Sequence, residues 1–129
     1  MRSVQMRLAF CLATDDDEDP YVPTAMEYKS LSPWEAAITF HLPESPITWT
    51  MAREVLDRGL MSPEPVGEGD VEAWSDDDTF YLRLMGATTL YTDAEDMEDF
   101  LYAAYEIVPE GAESEQYDLD TELAKIFTA

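Results

Sequence analysis

The stretch SPWEAAITFHLPESPITWTMAREVLDRGL, residues 32–60, contains two predicted strands, the turn between them and the helix that follows. Apolar side chains recur at every second position in Ala36, Ile38, Phe40 and Leu42, which is the period of a strand with one buried face. The prolines of PESP interrupt this pattern, and residues 47–49, with apolar Ile47 and Trp49 on either side of Thr48, predict a short second strand. We therefore predict a pair of strands that leads directly into a helix.

The helix in this stretch is predicted to begin after Thr50, a good N-cap residue, and to stop before Gly59. Met51, Val55 and Leu56 supply its apolar side, and Leu60 is expected to fold back onto them. We expect Trp49 and Leu56 to anchor the core.

Two of the seven basic residues of the chain, Arg53 and Arg58, lie on this helix. Arg53 and Asp57 are four residues apart, as are Glu54 and Arg58, which is the spacing of neighbours on one helix face. The sequence therefore predicts that both arginines pair with acids of their own helix.

The remaining chain shows the same two periods. Alternation predicts strands at 3–13, 21–28, 71–74, 79–85 and 88–91, and spacing of three and four residues predicts a helix from about 93 to 108 and another at about 119–127. Five like charges before a proline make residues 14–20 an exposed acidic loop. Because strands do not alternate regularly with helices, we predict an antiparallel α+β fold in a single domain, residues 1–129.

Composition restricts the partners. The 129 residues include 29 acidic and seven basic ones, giving a formal net charge of −22, which repels phosphate and argues against nucleic acid and anionic membranes. No apolar stretch approaches the roughly 18 residues of a membrane helix, so no membrane insertion is expected. The single cysteine permits no internal disulfide and fits a cytoplasmic location.

No catalytic, cofactor or metal residue is predicted. The acidic loop matches the first three calcium-loop positions, but Pro20 and Met26 occupy the required glycine and glutamate positions, which leaves weak cation association at most. A Ser-His-Asp triad with His41 is compatible with the inventory but has no nucleophile-elbow motif, and a hydrolase using surface carboxylates stays a remote alternative. The three tryptophans favour core or interface positions over a stacking platform for sugars or bases.

Several motifs occur in a characteristic order: SPWEAAITFHL, ITWTMAREVLDRGLMSP, GEGDVEAW, and DFLYAAYEIVPEGAESEQYDLDTELAKIF. Their series resembles the SsgA-like proteins, a family of sporulation and cell-division proteins of actinobacteria, over about residues 1–127. The resemblance is carried by a set of apolar, glycine and charged positions: Trp34, Phe40, Trp49, Arg53, Leu56, Gly59, Leu60, Gly69, Asp70, Val71, Trp74, Phe100, Leu101, Pro109, Gly111, Asp118, Asp120 and Leu123.

This resemblance implies an antiparallel, barrel-like sheet of six or seven strands with two or three helices, similar to the Whirly fold, assembled as a bell-shaped homotrimer. It also implies a non-enzymatic adaptor without a cofactor, concentrated at division septa. Members of the family recruit the tubulin-like protein FtsZ or help to localise the recruiting protein, so FtsZ or a sister SsgA-like protein is the expected partner.

Two features qualify that expectation. DDDEDPYVP replaces a mostly small, polar loop of the family, and Ser75 stands where the family usually has proline. Because FtsZ-type proteins are acidic too, direct binding would need an apolar patch or an intermediary. The alternative is single-stranded nucleic-acid binding by the Whirly-like fold, against which the few, scattered basic residues argue.

Overall fold

The computed structural model describes residues 2–16, 18–67 and 69–114. Its secondary-structure elements, in chain order, are β1 (Ser3–Leu12), β2 (Tyr21–Lys29), β3 (Glu35–His41), β4 (Pro46–Ala52), α1 (Arg53–Leu60), β5 (Val71–Asp76), β6 (Thr79–Leu84), β7 (Thr88–Asp93) and α2 (Ala94–Ile107). The strands form a single antiparallel sheet in the order β4-β3-β2-β1-β7-β6-β5. The predicted antiparallel α+β fold is confirmed.

Alternating side chains give this sheet an inner apolar face. Phe10, Met26, Ile38, Phe80 and Leu82 are completely buried there, whereas their neighbours along each strand point outward. Pairing in register keeps these residues on one side, as when Met26 lies opposite both Met6 and Ile38. The inner face is therefore the core of the molecule.

The two edges of the sheet approach each other. Residues 49–52 of β4 and residues 70–71 at the start of β5 line the same cavity of about 290 Å³, and α1 connects the two edges. Helix α2 packs on the inner face against β1, β2, β6 and β7, through Met97, Phe100, Leu101 and Ala104. The sheet is therefore curled around α2, with an open seam between β4 and β5.

The structure corrects three details at the predicted helix ends. Helix α1 begins at Arg53, and Thr50 belongs to β4, so it does not cap the helix. Gly59 lies inside α1, not beyond its end, and it faces Ala73 of β5. At α2, Asp93 occupies the N-cap position without a side-chain bond, and the Thr92 hydroxyl donates instead to the carbonyl of Ala9.

The remaining elements lie near their predicted residues, with differences at the ends of β3 and β4. Strand β4 is longer than the predicted residues 47–49 because it pairs with β3 from Pro46 to Ala52. Leu42 lies beyond the end of β3 and is exposed. The helix predicted at about 119–127 lies outside the described residues, as do Asp118, Asp120 and Leu123.

Candidate functional site

The first notable group of side chains surrounds Arg53. The backbone N–H of Arg53 donates to the carbonyl of Trp34 at 2.9 Å, which fixes the first turn of α1 against the segment before β3. Its guanidinium carbon lies 4.9 Å from the ring centroid of Tyr28 and 4.0 Å from that of Tyr105. Arg53 is thus buried between two aromatic rings, at 2% exposure.

The polar partners of Arg53 lie just after α2. One guanidinium nitrogen donates to the carbonyl of Val108 at 2.7 Å, and another pairs with the carboxylate of Glu113 at 2.8 Å. The predicted pairing of Arg53 with Asp57 is therefore wrong, because the side chain enters the core and finds its partner 60 residues away. We call Arg53, Tyr28, Tyr105 and Glu113 the Arg53 cluster.

The environment of Glu113 keeps it ionised. Burial raises the pKa of its carboxyl, but hydrogen bonds from backbone N–H groups, including that of Gly111, and the charge and hydrogen bond of Arg53 outweigh burial. The resulting pKa lies below the ordinary value of 4.5. The cluster therefore holds α1, α2 and residues 108–113 together as a fully charged ion pair.

The second notable feature lies where several strands end together. Because neighbouring strands are antiparallel, the ends of β1, β3 and β6 meet the starts of β2, β4 and β7 at one end of the sheet. Helices α1 and α2 begin at the opposite end, after β4 and β7. Inner-face side chains at the first end are therefore left partly uncovered.

These side chains form an apolar groove with a cavity of about 270 Å³, which we call the end groove. Its lining residues are uncharged and come from strand ends and the neighbouring turns: Leu12, Val22, Phe40, Leu42, Ile47, Trp49, Leu84, Met85, Thr88 and Leu90. Leu42, Ile47 and Met85 are 38%, 45% and 65% exposed, respectively. In a chain of net charge −22, such a surface is typical of a binding site for another macromolecule.

Met85 has a conformation that local turn chemistry does not favour. Met85 and Gly86 both have positive φ angles, 56° and 69°, in the tight turn between β6 and β7. The first position of such a turn strongly prefers asparagine, aspartate or glycine. A large, exposed apolar residue there contradicts the local preference, as residues selected for binding often do.

Strand β4 borders the groove and forms one edge of the sheet. Its residues pair with β3, and within the described ranges no strand pairs with its other side. The backbone groups on that side can accept another strand. Groove and strand edge together form a continuous candidate interface.

The structure distributes the residues of the family resemblance among several places. Phe40 and Trp49 meet in the end groove, whereas Trp34, Arg53 and Gly111 line another cavity of about 380 Å³ beside the Arg53 cluster. The others lie apart: Leu56, Gly59, Phe100 and Leu101 are buried, Leu60 and Val71 are half-buried, Trp74 lies on the outer face of β5, and Gly69, Asp70 and Pro109 are exposed. Most of these positions thus support the scaffold instead of forming one site.

Sequence reasoning missed Leu42, Ile47 and Met85 as groove residues. The alternating pattern predicts Leu42 on a buried strand face, but Leu42 is 38% exposed, and Ile47 near the start of β4 is 45% exposed. The available signal was Met85, an apolar residue at the end of the predicted strand 79–85 and directly before Gly86.

None of the described residues form a group of three or more histidine, cysteine, aspartate or glutamate side chains that could hold a metal ion. Neither of the two described helices has the length and apolar character needed to cross a membrane.

Comparison with known proteins identifies relatives of the whole fold. A family model described as "Streptomyces sporulation and cell division protein, SsgA" matches residues 22–113. A protein of Streptomyces coelicolor named "Sporulation-specific cell division protein SsgB" is 30% identical, over 96% of this chain and 95% of its own length.

Two solved structures share the fold. An SsgA-like sporulation-specific cell division protein from Thermobifida fusca superposes with a TM-score of 0.84 at 28% identity, covering 96% of this chain and 94% of its own. A second structure, described by the words "Mutations in SsgB correlate to longitudinal cell division during sporulation of Streptomyces coelicolor", has a TM-score of 0.81 at 28% identity and covers 89% of this chain and 95% of its own. The curled sheet with its helices is thus shared along nearly the full length of these proteins.

Proposed function

Because the chain belongs to the SsgA family of sporulation and cell-division proteins, we propose that it acts in sporulation-specific cell division as a non-enzymatic adaptor. In this proposal residues 1–129 form one SsgA-like domain, which binds FtsZ or a sister SsgA-like protein and so helps to place the septum. The role of the relatives in sporulation-specific cell division supports the process, and the end groove supports binding as the means.

The end groove is the observation that carries the proposal. An adaptor needs a surface whose burial against a partner lowers the free energy. Burial of exposed apolar side chains contributes about 25 cal/mol per Å². The partner FtsZ is expected to be acidic, so an uncharged contact avoids repulsion between the two proteins. The groove supplies such a contact within an otherwise strongly acidic chain.

We also propose that the protein assembles as a homotrimer with a Whirly-like arrangement of the sheet. The edge of β4 is one surface that could serve self-association, since no strand of the described residues pairs with its outer side and apolar side chains lie beside it. Partner binding and self-association can thus be tested with the same variants.

The test uses two methionines that differ in position. Met85→Glu places a carboxylate in the end groove. Met61→Glu places one outside the groove, at the C-terminal end of α1, where Met61 is 84% exposed. We expect Met85→Glu to weaken binding of FtsZ, or of a sister family member from the same genome, by roughly tenfold or more, because an unpaired charge would be desolvated in the contact. Biolayer interferometry with the immobilised protein measures this directly.

The control Met61→Glu should bind like the wild type. Equal effects of both variants, or no binding of either candidate partner by the wild type, would contradict the proposal. Light scattering after size exclusion should give the mass of three 14.6 kDa chains for the wild type. A drop to a single chain for Met85→Glu would assign the groove to the trimer instead of the partner.

A further inference from the structure

The outer face of the sheet carries a row of side chains that the proposed adaptor function does not use. Trp74 of β5 lies opposite Tyr81 of β6, and Tyr81 lies opposite Tyr91 of β7. Tyr91 lies opposite Cys11 of β1, which in turn lies opposite Tyr21 of β2. Four aromatic residues and one cysteine thus form a continuous line across five adjacent strands, which we call the aromatic row.

The rings in this row are at least partly accessible, and three of them contact one another in sequence across the sheet. Trp74 and Tyr81 stack with their centroids 5.3 Å apart and their planes 6° apart, and Tyr81 and Tyr91 follow at 5.9 Å. Tyr21 is 60% exposed, and the other members of the row are half-buried. Across five strands about 4.8 Å apart the row is roughly 19 Å long, which matches about six residues of extended chain.

Carboxylates border the row. Glu72 and Asp76 lie two residues before and after Trp74, so their side chains share its face of β5. Asp93 stands in the same relation to Tyr91, whose hydroxyl donates to the carboxylate of Asp19 at 2.7 Å. Aromatic faces surrounded by carboxylates are the chemistry that binds cations.

The protein already places one cation on this surface. The guanidinium carbon of Arg83 lies 5.2 Å from the ring centroid of Trp74, and the same group pairs with Glu72 at 3.0 Å. This contact shows that a ring of the row accepts a guanidinium over its face, and at the other end of the row Tyr21 is 60% exposed.

We propose that the aromatic row is a docking surface for an extended segment of another protein that carries arginine side chains. Such a segment satisfies both features of the surface, since guanidinium groups stack on aromatic rings and pair with carboxylates. Single-stranded nucleic acid would also stack on the rings, but the bordering carboxylates would repel its phosphates. The row is separate from the end groove, because its residues point to the opposite face of the sheet.

The test measures binding of a fluorescein-labelled octapeptide of alternating arginine and serine, by fluorescence anisotropy with the full chain. Replacement of Trp74 and Tyr21 by alanine should weaken binding about two- to fivefold for each ring. The control is Tyr102→Ala, which removes a 70% exposed tyrosine of α2 that is also surrounded by acids, at Glu98, Asp99 and Glu106. Thermal unfolding followed by circular dichroism establishes that each variant is folded.

A second comparison separates the site from the general charge of the protein. Asp76→Asn with Asp93→Asn removes two charges beside the row, and Glu98→Gln with Glu106→Gln removes two from α2. The first pair should weaken peptide binding more than the second. The arginine peptide should also bind several-fold more tightly than its lysine counterpart, and the ring variants should lose this preference, since an ammonium does not stack.

Three results would overturn the proposal. One is equal binding by the ring variants and the wild type, and another is equal weakening by the Tyr102→Ala control. The third is tight binding of a labelled oligothymidylate that displaces the peptide, which would assign the row to nucleic acid.

Discussion

Arg53 shows how one side chain can join distant parts of a chain. It starts α1, yet its guanidinium lies between Tyr28 of β2 and Tyr105 of α2 and pairs with Glu113 beyond α2. A buried cation is tolerated only where such partners compensate its lost hydration. The Arg53 cluster therefore fixes the position of residues 108–113, which follow α2.

Replacement of Arg53 by methionine should lower the free energy of unfolding by about 3–5 kcal/mol, because the Glu113 carboxylate stays buried without its cation. Urea unfolding followed by circular dichroism measures the loss. The matched control is Arg58→Met on the same helix, where the exposed side chain should contribute less than about 0.5 kcal/mol. Similar losses for both variants would show that the cluster is not what stabilises this region.

The lowered pKa of Glu113 predicts a pH dependence. Because its pKa in the folded protein lies below the unfolded value of 4.5, the ionised group stabilises the fold above that value, and the contribution disappears as pH falls through the folded-state pKa. The stability difference between the wild type and Glu113→Gln should therefore be larger at pH 7 than below pH 4.5. Urea unfolding of both proteins across this pH range tests the prediction. Because both proteins share all other acidic groups, the contributions of those groups cancel in the difference. A stability difference that does not change with pH would refute the assignment to Glu113.

At the level of elements, the contact between α1 and β5 depends on a missing side chain. Gly59 faces Ala73, which is completely buried, and a Cβ atom added to Gly59 would lie 2.5 Å from the Cβ of Ala73. The glycine thus permits α1 to lie close against the edge strand. This role differs from the helix-ending role that its position in the sequence suggested.

Gly59→Ala should therefore destabilise the protein by about 1–3 kcal/mol through overpacking, although alanine in a helix is intrinsically better than glycine by up to about 1 kcal/mol. Thermal and urea unfolding measure the effect. The double variant Gly59→Ala with Ala73→Gly should recover part of the loss, since it moves the methyl group across the interface. Stabilisation by Gly59→Ala alone would show that the helix can move away without cost.

Across the molecule as a whole, charged side chains and the exposed apolar groove occupy different parts of the surface. Among the described residues, the end groove at one end of the sheet is lined by uncharged side chains, whereas carboxylates border the aromatic row on the outer face. Exposed ion pairs such as Arg83–Glu72 contribute at most about 1 kcal/mol each, so repulsion among the unbalanced acids dominates the surface electrostatics.

Added salt should therefore stabilise this protein. Between about 0.1 M and 1 M KCl the Debye length falls from about 10 Å to about 3 Å, which screens the repulsion between exposed acids more than it weakens the few ion pairs. We expect the melting temperature to rise by about 5 °C, as measured by calorimetry. An unchanged or lower melting temperature would mean that the acidic side chains are already spaced widely enough not to interact.

Much of the fold was predictable because strand and helix patterns are local. Alternation in residues such as Phe80, Leu82 and Leu84, and the three- and four-residue spacing of Met97, Phe100 and Leu101, fix which side of each element is buried. The direction of a side chain follows from the backbone period alone, so these predictions needed no knowledge of neighbouring elements.

The amino-acid pattern was enough to predict most of the elements, their buried faces and the antiparallel α+β class. The three-dimensional packing was needed to show that Arg53 pairs with Glu113, that Gly59 touches Ala73, and that Leu42, Ile47 and Met85 share one groove. These contacts join residues far apart in the chain, and they depend on strand order, register and helix packing. A local pattern carries none of that information, because the same alternation is compatible with many orders of strands in a sheet.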